Sequence, residues 1–497
     1  LEYNSFKGKA WALLAVEWEA CGMENFRMVS AQASKKFQLL VAWLLALRFI
    51  EGLVMAFYPY PGPHFWRQTD TLSVGIRYAQ RWQEGLTGWD FWLPAMLNSG
   101  ETSAIMPMEF PFYNFLLGLG YLVSWENGPL YASLIAFGWS LLLWGAILWV
   151  WRNHDIWGIP AWRVWLLLPL LGQSGLYFTK LMPDFTAMAF LLLACGVVWD
   201  DEKEHPWIAG GLATLGLLIK PPVCILLALL FLKKTKWAFL RQALWIIVSL
   251  GISILYYTKG LDFIRLYTTR GEIFAVALHS PWEQWASLQT QGKEVWKWLS
   301  DGVFFPGGSL SFILCLVFTR SFPAWGWKLG LLLLLQCLAI MSLDGAHSLA
   351  HRYYYIGMSP LICLAVYTLC TTAFQVEKFP RLQQGALILF ATLWVGASID
   401  RCVNDLGPIS WLKEAKLSQG PPFAQCQVLR ARHPEIPWQQ GVVFRSHAPG
   451  SPFLGVCFGE REHGKKGKWG FFRKEATIPS DCHEIDGTEK IRLVACD

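Results

Sequence analysis

The sequence predicts an all-α polytopic membrane protein of about eleven transmembrane helices with a small exported C-terminal α/β domain, and three observations carry that prediction. Of the 497 residues, 54% are hydrophobic and 16% charged, whereas a soluble chain carries about 25% charged residues. Apolar runs near the roughly 20-residue length of a bilayer crossing recur along the chain. Twenty-nine tryptophans suit the boundary between lipid and water. A net charge of +6, with no Lys/Arg block that approaches a nucleic-acid footprint, excludes a nucleic-acid partner. The same composition excludes a disordered chain, a disulfide scaffold and an ordinary cytosolic enzyme.

Residues 1–36 read as a cytoplasmic extension, and the run 37–57 as an uncleaved anchor span. Further spans are predicted at 129–151, 160–178, 184–199, 238–257, 303–319, 326–343, 353–372 and 384–399. The stretch 207–232 is apolar but interrupted by Lys220-Pro221-Pro222, and reads as two short helices meeting at a turn near one face. One kinked span is the competing reading. Charge placement favours two, because eleven spans put the Lys233–Lys236 cluster on the cytoplasmic side with Arg152/Arg163, Arg320/Lys328 and Lys378/Arg381. The transmembrane domain is then 37–399, with outer loops 58–128 and 258–302.

Residues 400–497 differ in composition, with 14 Lys/Arg and 12 Asp/Glu, the density of a soluble domain. Runs such as Gly441–Phe444 and Ile491–Val494 read as short strands. Five of the twelve cysteines (Cys402, Cys426, Cys457, Cys482 and Cys496) lie in this exported tail. One or two disulfides suit that compartment, with the pairing left open.

Ionisable residues are costly near lipid unless function or pairing retains them, so those at span ends on the outer face are the candidates. Arg67-Gln68-Thr69-Asp70 follows the first span. Asp70 there is either a general base beside a cation or, with Thr69, the N-cap of a helix over Leu72–Gln83. Glu109, ahead of an aromatic run to Trp125, either binds substrate or caps an interfacial helix. Lys180 and Asp184 sit four apart between spans. They either neutralise each other, or Asp184 is a second carboxylate working with Asp70. Lys220 on the same face calls for an anionic partner such as a phosphate head group. His351-Arg352-Tyr353 enters a late span and suits phosphate contact better than zinc.

Taken in order, Arg-Gln-Thr-Asp-Thr at 67–71, Glu-Phe-Pro-Phe-Tyr-Asn at 109–114, Pro183-Asp184, Lys220-Pro221 and His351-Arg352-Tyr353-Tyr354 carry a resemblance over about residues 37–400. The chain resembles the GT-C superfamily of polyprenyl-phosphate-sugar glycosyltransferases, most nearly the bacterial relatives of protein O-mannosyltransferases and lipid A aminoarabinose transferases. The resemblance implies an inverting hexosyl- or pentosyltransferase with catalytic Asp70 and Asp184. It implies substrate contacts from Arg67, Gln68, Glu109, Lys180, Lys220, His351, Arg352 and Tyr353. A divalent cation, Mg or Mn, shared by Asp70 and Asp184 is the one cofactor it admits. The donor would be a polyprenyl-phosphate-linked sugar and the acceptor a glycan, lipid or protein. The setting would be a bacterial inner membrane with an extracytoplasmic site. The first loop departs from the mannosyltransferase pattern, with Asp-Thr in place of Asp-Glu, and Glu109 stands where the aminoarabinose-transferase pattern has Lys-Pro-Pro. The rival reading is a transporter or flippase of a lipid-linked or anionic solute, which would place its charges near the bilayer midplane and show internal repeats.

Overall fold

A computed structural model describes residues 34–57, 65–95, 105, 107–124, 127–200, 205–232, 237–267, 331–333, 335–336, 338–339, 352–373, 432–433, 442–444, 469–473, 482–487 and 491–496. Helix α1 (Ser34–Phe57) covers the apolar run at 37–57. Its outward face shows Trp43, Leu47, Phe49, Ile50 and Leu53, while its buried stripe carries Val41, Leu44 and Arg48. Arg48 is held by Glu51 one turn away and by the Gly175 carbonyl, so the buried charge is paired, as burial requires.

Helix α2 (Phe65–Gln83) begins seven residues before the predicted start at Leu72. Asp70 therefore lies in the second turn of a helix and not at its cap, and the capping reading of Thr69 and Asp70 is corrected. Helix α3 (Phe112–Val123) packs between α2 and α4 (Gly128–Val150). A Cβ on Gly118 would lie 2.4 Å from the Gly75 carbonyl oxygen, and one on Gly75 would lie 2.6 Å from the Asn114 oxygen. Only glycine permits the α2–α3 backbones to approach so closely.

The predicted span over 160–178 is not one helix. A turn of helix at Ala161–Trp165 and another at Gly172–Tyr177 are separated by an extended Leu171, with φ −120° and ψ 153°. Pro169 within this stretch has no N–H for a helical bond and is at odds with a continuous helix. The Ser174 hydroxyl then donates to the Leu168 carbonyl at 2.8 Å, and the Ser174 N–H donates to Ser359 Oγ at 2.9 Å. These bonds satisfy backbone that a break in an apolar core would otherwise strand.

Helix α5 (Asp184–Trp199) is the axis of the bundle: all of its residues but Val197 are buried. It packs on α4 and on α6 (Pro206–Ile219). A Cβ on Gly216 of α6 would come within 2.8 Å of the Ala187 oxygen, so this contact too is backbone against backbone. Lys220 ends α6 in an extended conformation, φ −155° and ψ 96°, because the residue before a proline is driven from the helical region. A 3₁₀ segment over Pro221–Leu232 follows. The break at Lys220-Pro221-Pro222 is therefore as expected.

Helix α7 (Trp237–Leu255) is apolar outward and polar inward. Leu244, Ile247, Ile254 and Leu255 are exposed, whereas Ser249 and Ser253 are buried and donate to the Gly210 and Leu217 carbonyls of α6, at 2.8 and 3.1 Å. A helix in water shows the opposite pattern. The helical runs Leu130–Asn153 and Leu244–Arg265 are long and apolar enough to cross a bilayer. A 3₁₀ segment over Arg352–Met358 leads into α8 (Ser359–Ala373). The predicted spans at 303–319 and 384–399, and residues 1–33, lie outside the described residues.

In the tail, β1 (Val442–Phe444), β2 (Trp469–Arg473), β3 (Cys482–Gly487) and β4 (Ile491–Cys496) form one sheet in the order β1-β2-β4-β3. The β1–β2 pair is parallel and the other two pairs are antiparallel. Both strands expected from the sequence are present. The register sets Cys482 across from Cys496. A bulge between Glu484 and Asp486 comes where the Asp486 carboxylate accepts a hydrogen bond from the Gly487 N–H at 2.7 Å and pairs with His433 at 3.0 Å. Burial pushes the Asp486 carboxyl up, but the Gly487 N–H, His433 and Arg432 outweigh it and hold it below the usual aspartate value.

Candidate active site

Four backbone segments end at one place. Residues at the start of α2 supply Arg67 and Gln68. The irregular segment before α3 supplies Glu109, the first residue of α5 is Asp184, and the break after α6 supplies Lys220. None of the four is close to another in sequence, so their meeting is a product of the helix packing just described.

Glu109 is the junction. Its Oε1 accepts from the Arg67 guanidinium at 2.5 Å and from the Lys220 ammonium at 2.7 Å. The side chains of Arg67 and Lys220 are 4% and 3% exposed, against 17% for Glu109. Burial pushes the Glu109 carboxyl up, but the two cations overrule it and hold it well below the ordinary glutamate range. The N-cap of α3 is Pro111, with no side-chain cap hydrogen bond. Of the two readings of Glu109, the helix cap is thus set aside.

Asp184 is completely buried, and its Oδ1 lies 4.0 Å from Lys220 Nζ. Neither carboxylate oxygen accepts a hydrogen bond from any other described residue. The cation facing it is Lys220, so mutual neutralisation of Lys180 and Asp184 does not hold. Lys180 is buried in the turn before α5, where its carbonyl accepts from the Tyr113 hydroxyl at 3.3 Å. Gln68 Oε1 accepts the Leu181 N–H at 3.2 Å, and Asn114 Nδ2 donates to the Thr71 carbonyl at 2.8 Å. These bonds tie the start of α2 both to the turn that carries Asp184 and to α3.

Asp70 lies on α2 one turn after Arg67; its side chain lies outside the described set, as do His351 and the side chains of Arg352 and Tyr353. Tyr354, next to the predicted Tyr353, sets its ring 5.3 Å from Lys220 Nζ, a cation–π contact. The sequence offered a run of three tyrosines and no means to choose among them. It also missed Tyr256 and Tyr257 beyond α7, whose hydroxyls donate to the Met108 and Leu218 carbonyls at 3.1 and 2.7 Å. Together with the bond from the Phe110 N–H to the Leu218 carbonyl, 3.1 Å, they pin the backbone on both sides of Glu109.

The described donor set does not complete a divalent-cation site. Among the described residues no three His, Cys, Asp or Glu side chains converge, and the Lys220 ammonium already stands before Asp184. What the cluster can do with its own groups is hold an anion between two buried cations and keep a carboxylate close by.

No family model matches the sequence, and no curated protein matches it. Among solved structures, ArnT from Cupriavidus metallidurans in the apo state is similar over 93% of this chain and 98% of that one, with a TM-score of 0.50 at 12% identity. The chain therefore shares the fold of ArnT over nearly its whole length.

Proposed function

We propose that this chain is an integral membrane glycosyltransferase that moves a sugar, with inversion, from a polyprenyl-phosphate donor to an acceptor on the extracytoplasmic face of a bacterial inner membrane. One observation carries the reading: two buried cations, Arg67 and Lys220, converge on a single oxygen beside a fully buried carboxylate, Asp184. Such a pair suits the phosphate of a lipid-linked sugar. It binds the charge already present and stabilises the further negative charge that develops as the sugar–phosphate bond breaks. The ArnT fold agrees with the glycosyltransferase family that the order of the motifs resembles, and supports the reading at that level.

The displacement is a single step. An acceptor hydroxyl or amine, losing its proton to Asp70, attacks the anomeric carbon on the face opposite the phosphate. The bond from that carbon to the phosphate oxygen breaks as the new one forms, and the electron pair leaves with the polyprenyl phosphate. Arg67 and Lys220 hold the departing group, Asp184 and Tyr354 hold Lys220, and Gln68 fixes the turn carrying Asp184. A divalent cation drawing ligands from Asp70 and Asp184 stays within the proposal, but no step is routed through it. The transporter reading gains no support from the fold.

The test is transfer from a synthetic polyprenyl-phosphate sugar by the purified protein. Asp70→Asn should reduce turnover by at least about a thousandfold, given the usual worth of a catalytic base and its geometry, while the thermal unfolding midpoint is unchanged. Undiminished transfer by that variant removes Asp70 from the mechanism. In parallel, mass spectrometry of lipid-linked sugars and surface glycans, with and without the protein, should identify the sugar and the acceptor.

A further inference from the structure

The four groups joined by the ion pairs of the site balance one another in charge. Arg67 and Lys220 contribute two positive charges and Glu109 and Asp184 two negative ones, and these four groups sum to zero. A phosphodiester donor brings a further negative charge into a site where Asp184, Lys220 and Arg67 are all at most 4% exposed. An uncompensated charge in such surroundings is severely penalised. The Arg67 and Lys220 donors already converge on Glu109 Oε1, so a phosphate oxygen reaches both of them where that carboxylate gives way.

The geometry distinguishes the two acids. Asp184 is fully buried on the central helix α5. Glu109 is the most exposed of the four side chains and lies outside regular helix. Its Oε1 takes both cationic donors, as a phosphate oxygen would, while its Oε2 is buried without a hydrogen-bond partner among the described residues. A carboxylate satisfied at one oxygen only is an imperfect occupant of this seat. Both flanking residues are held: Phe110 by the Leu218 carbonyl and Met108 by the Tyr256 hydroxyl. Exchange therefore requires a side-chain rotation of Glu109 and no movement of the loop.

We propose that Glu109 is an internal competitor for the phosphate seat between Arg67 and Lys220, a carboxylate that holds the two cations in place until the phosphate ester of the donor displaces it. The inference rests on the donor reading above and adds a residue that sets the threshold for donor binding. It makes Glu109 a specificity element, since a ligand must present a stronger anion than a carboxylate to enter.

The experiment measures equilibrium binding of two probes, a short polyprenyl phosphate and inorganic phosphate, to the full chain in detergent. Wild type, Glu109→Gln, Glu109→Asp and Lys220→Met are compared. With the competing charge removed, Glu109→Gln should bind the polyprenyl phosphate about tenfold more tightly than wild type, each such factor being one decade of affinity. Glu109→Asp, which withdraws the carboxylate by one methylene and leaves the charge, should fall between them. Lys220→Met should bind about tenfold more weakly or worse. If inorganic phosphate shows the same order of variants, the phosphate group alone is the competitor; a gain confined to the polyprenyl probe assigns the competition to the lipid-linked phosphate. Equal or weaker binding by both Glu109 variants overturns the inference while leaving the donor reading intact. Absence of saturable binding by every variant, including wild type with an unaltered melting curve, instead overturns the donor reading on which it rests.

Discussion

Replacing Gly118 by alanine tests whether the packing of α2 on α3 sets the geometry of the site. The new methyl would lie 2.4 Å from the Gly75 carbonyl oxygen, where ordinary contact begins at 3.4 Å. The two helices must therefore separate by about 1 Å, the difference between those distances, and neither neighbour is a flexible side chain that can yield. Overpacking of this kind costs about 1–3 kcal/mol of stability. The functional cost is larger in proportion, because α2 carries Arg67 and Asp70 and a misplacement of about 1 Å can cost on the order of a hundredfold in rate. Thermal unfolding in detergent and transfer kinetics read the two effects separately. Gly138 and Gly211 are internal controls, since a Cβ at either meets nothing within 4 Å. Alanine at those helical positions should be neutral or stabilising by about 0.5–1 kcal/mol. A Gly118→Ala variant that melts and turns over like Gly138→Ala would refute the close-packing argument.

Lys220→Met removes the cation that faces both Glu109 and Asp184 and should destabilise the fold by about 3–5 kcal/mol, the usual consequence of breaking a buried pair. Lys220→Arg should recover stability better than transfer, because a planar guanidinium does not reproduce the position of the ammonium over Tyr354. The Glu109 carboxyl titrates below its ordinary value of 4.5, so its ion pairs stabilise the protein fully above that pH and are lost as pH falls through the lowered folded-state value. Melting curves from neutral pH down to about pH 3 should therefore show a steeper acid loss for wild type than for Glu109→Gln, and parallel curves would contradict the ion-pair assignment. Trp151 is fully buried, meets the Trp165 ring edge-on and the Trp199 ring at a tilt, and donates to the Leu192 carbonyl at 3.0 Å. Trp151→Phe should cost about 1–3 kcal/mol through the lost bond and the smaller ring, measured by chemical unfolding in detergent.

Much of the site was legible as residues, and little of it as relationships. Asp184 and Lys220 stood out because charged side chains in apolar surroundings are expensive, and that cost is visible in a one-dimensional string. Their pairing was not visible: Lys180 is nearer to Asp184 in sequence, yet Lys220 is the cation that faces it, because Gly216 lets α6 press against α5. Glu109 was read equally as a cap and as a binding residue. Only the path of the chain before Pro111 decided that its carboxylate turns to Arg67 and Lys220. The start of α2 was misjudged because the Thr69-Asp70 pair imitates a capping signal inside a helix. The predicted span over 160–178 failed for the opposite reason, since a continuous apolar run masked the break near Pro169.

By itself, the sequence determined the helical, membrane-suited character of the chain, the break at Lys220-Pro221-Pro222 and the strands of the tail. Each of these follows from local chemistry: apolar runs, proline geometry and alternating patterns act over a few residues. The tertiary structure alone decided which charges share a site, because that depends on glycine contacts between helices far apart in the chain. It also decided that Glu109, and not Asp184, is the acid seated between the two cations.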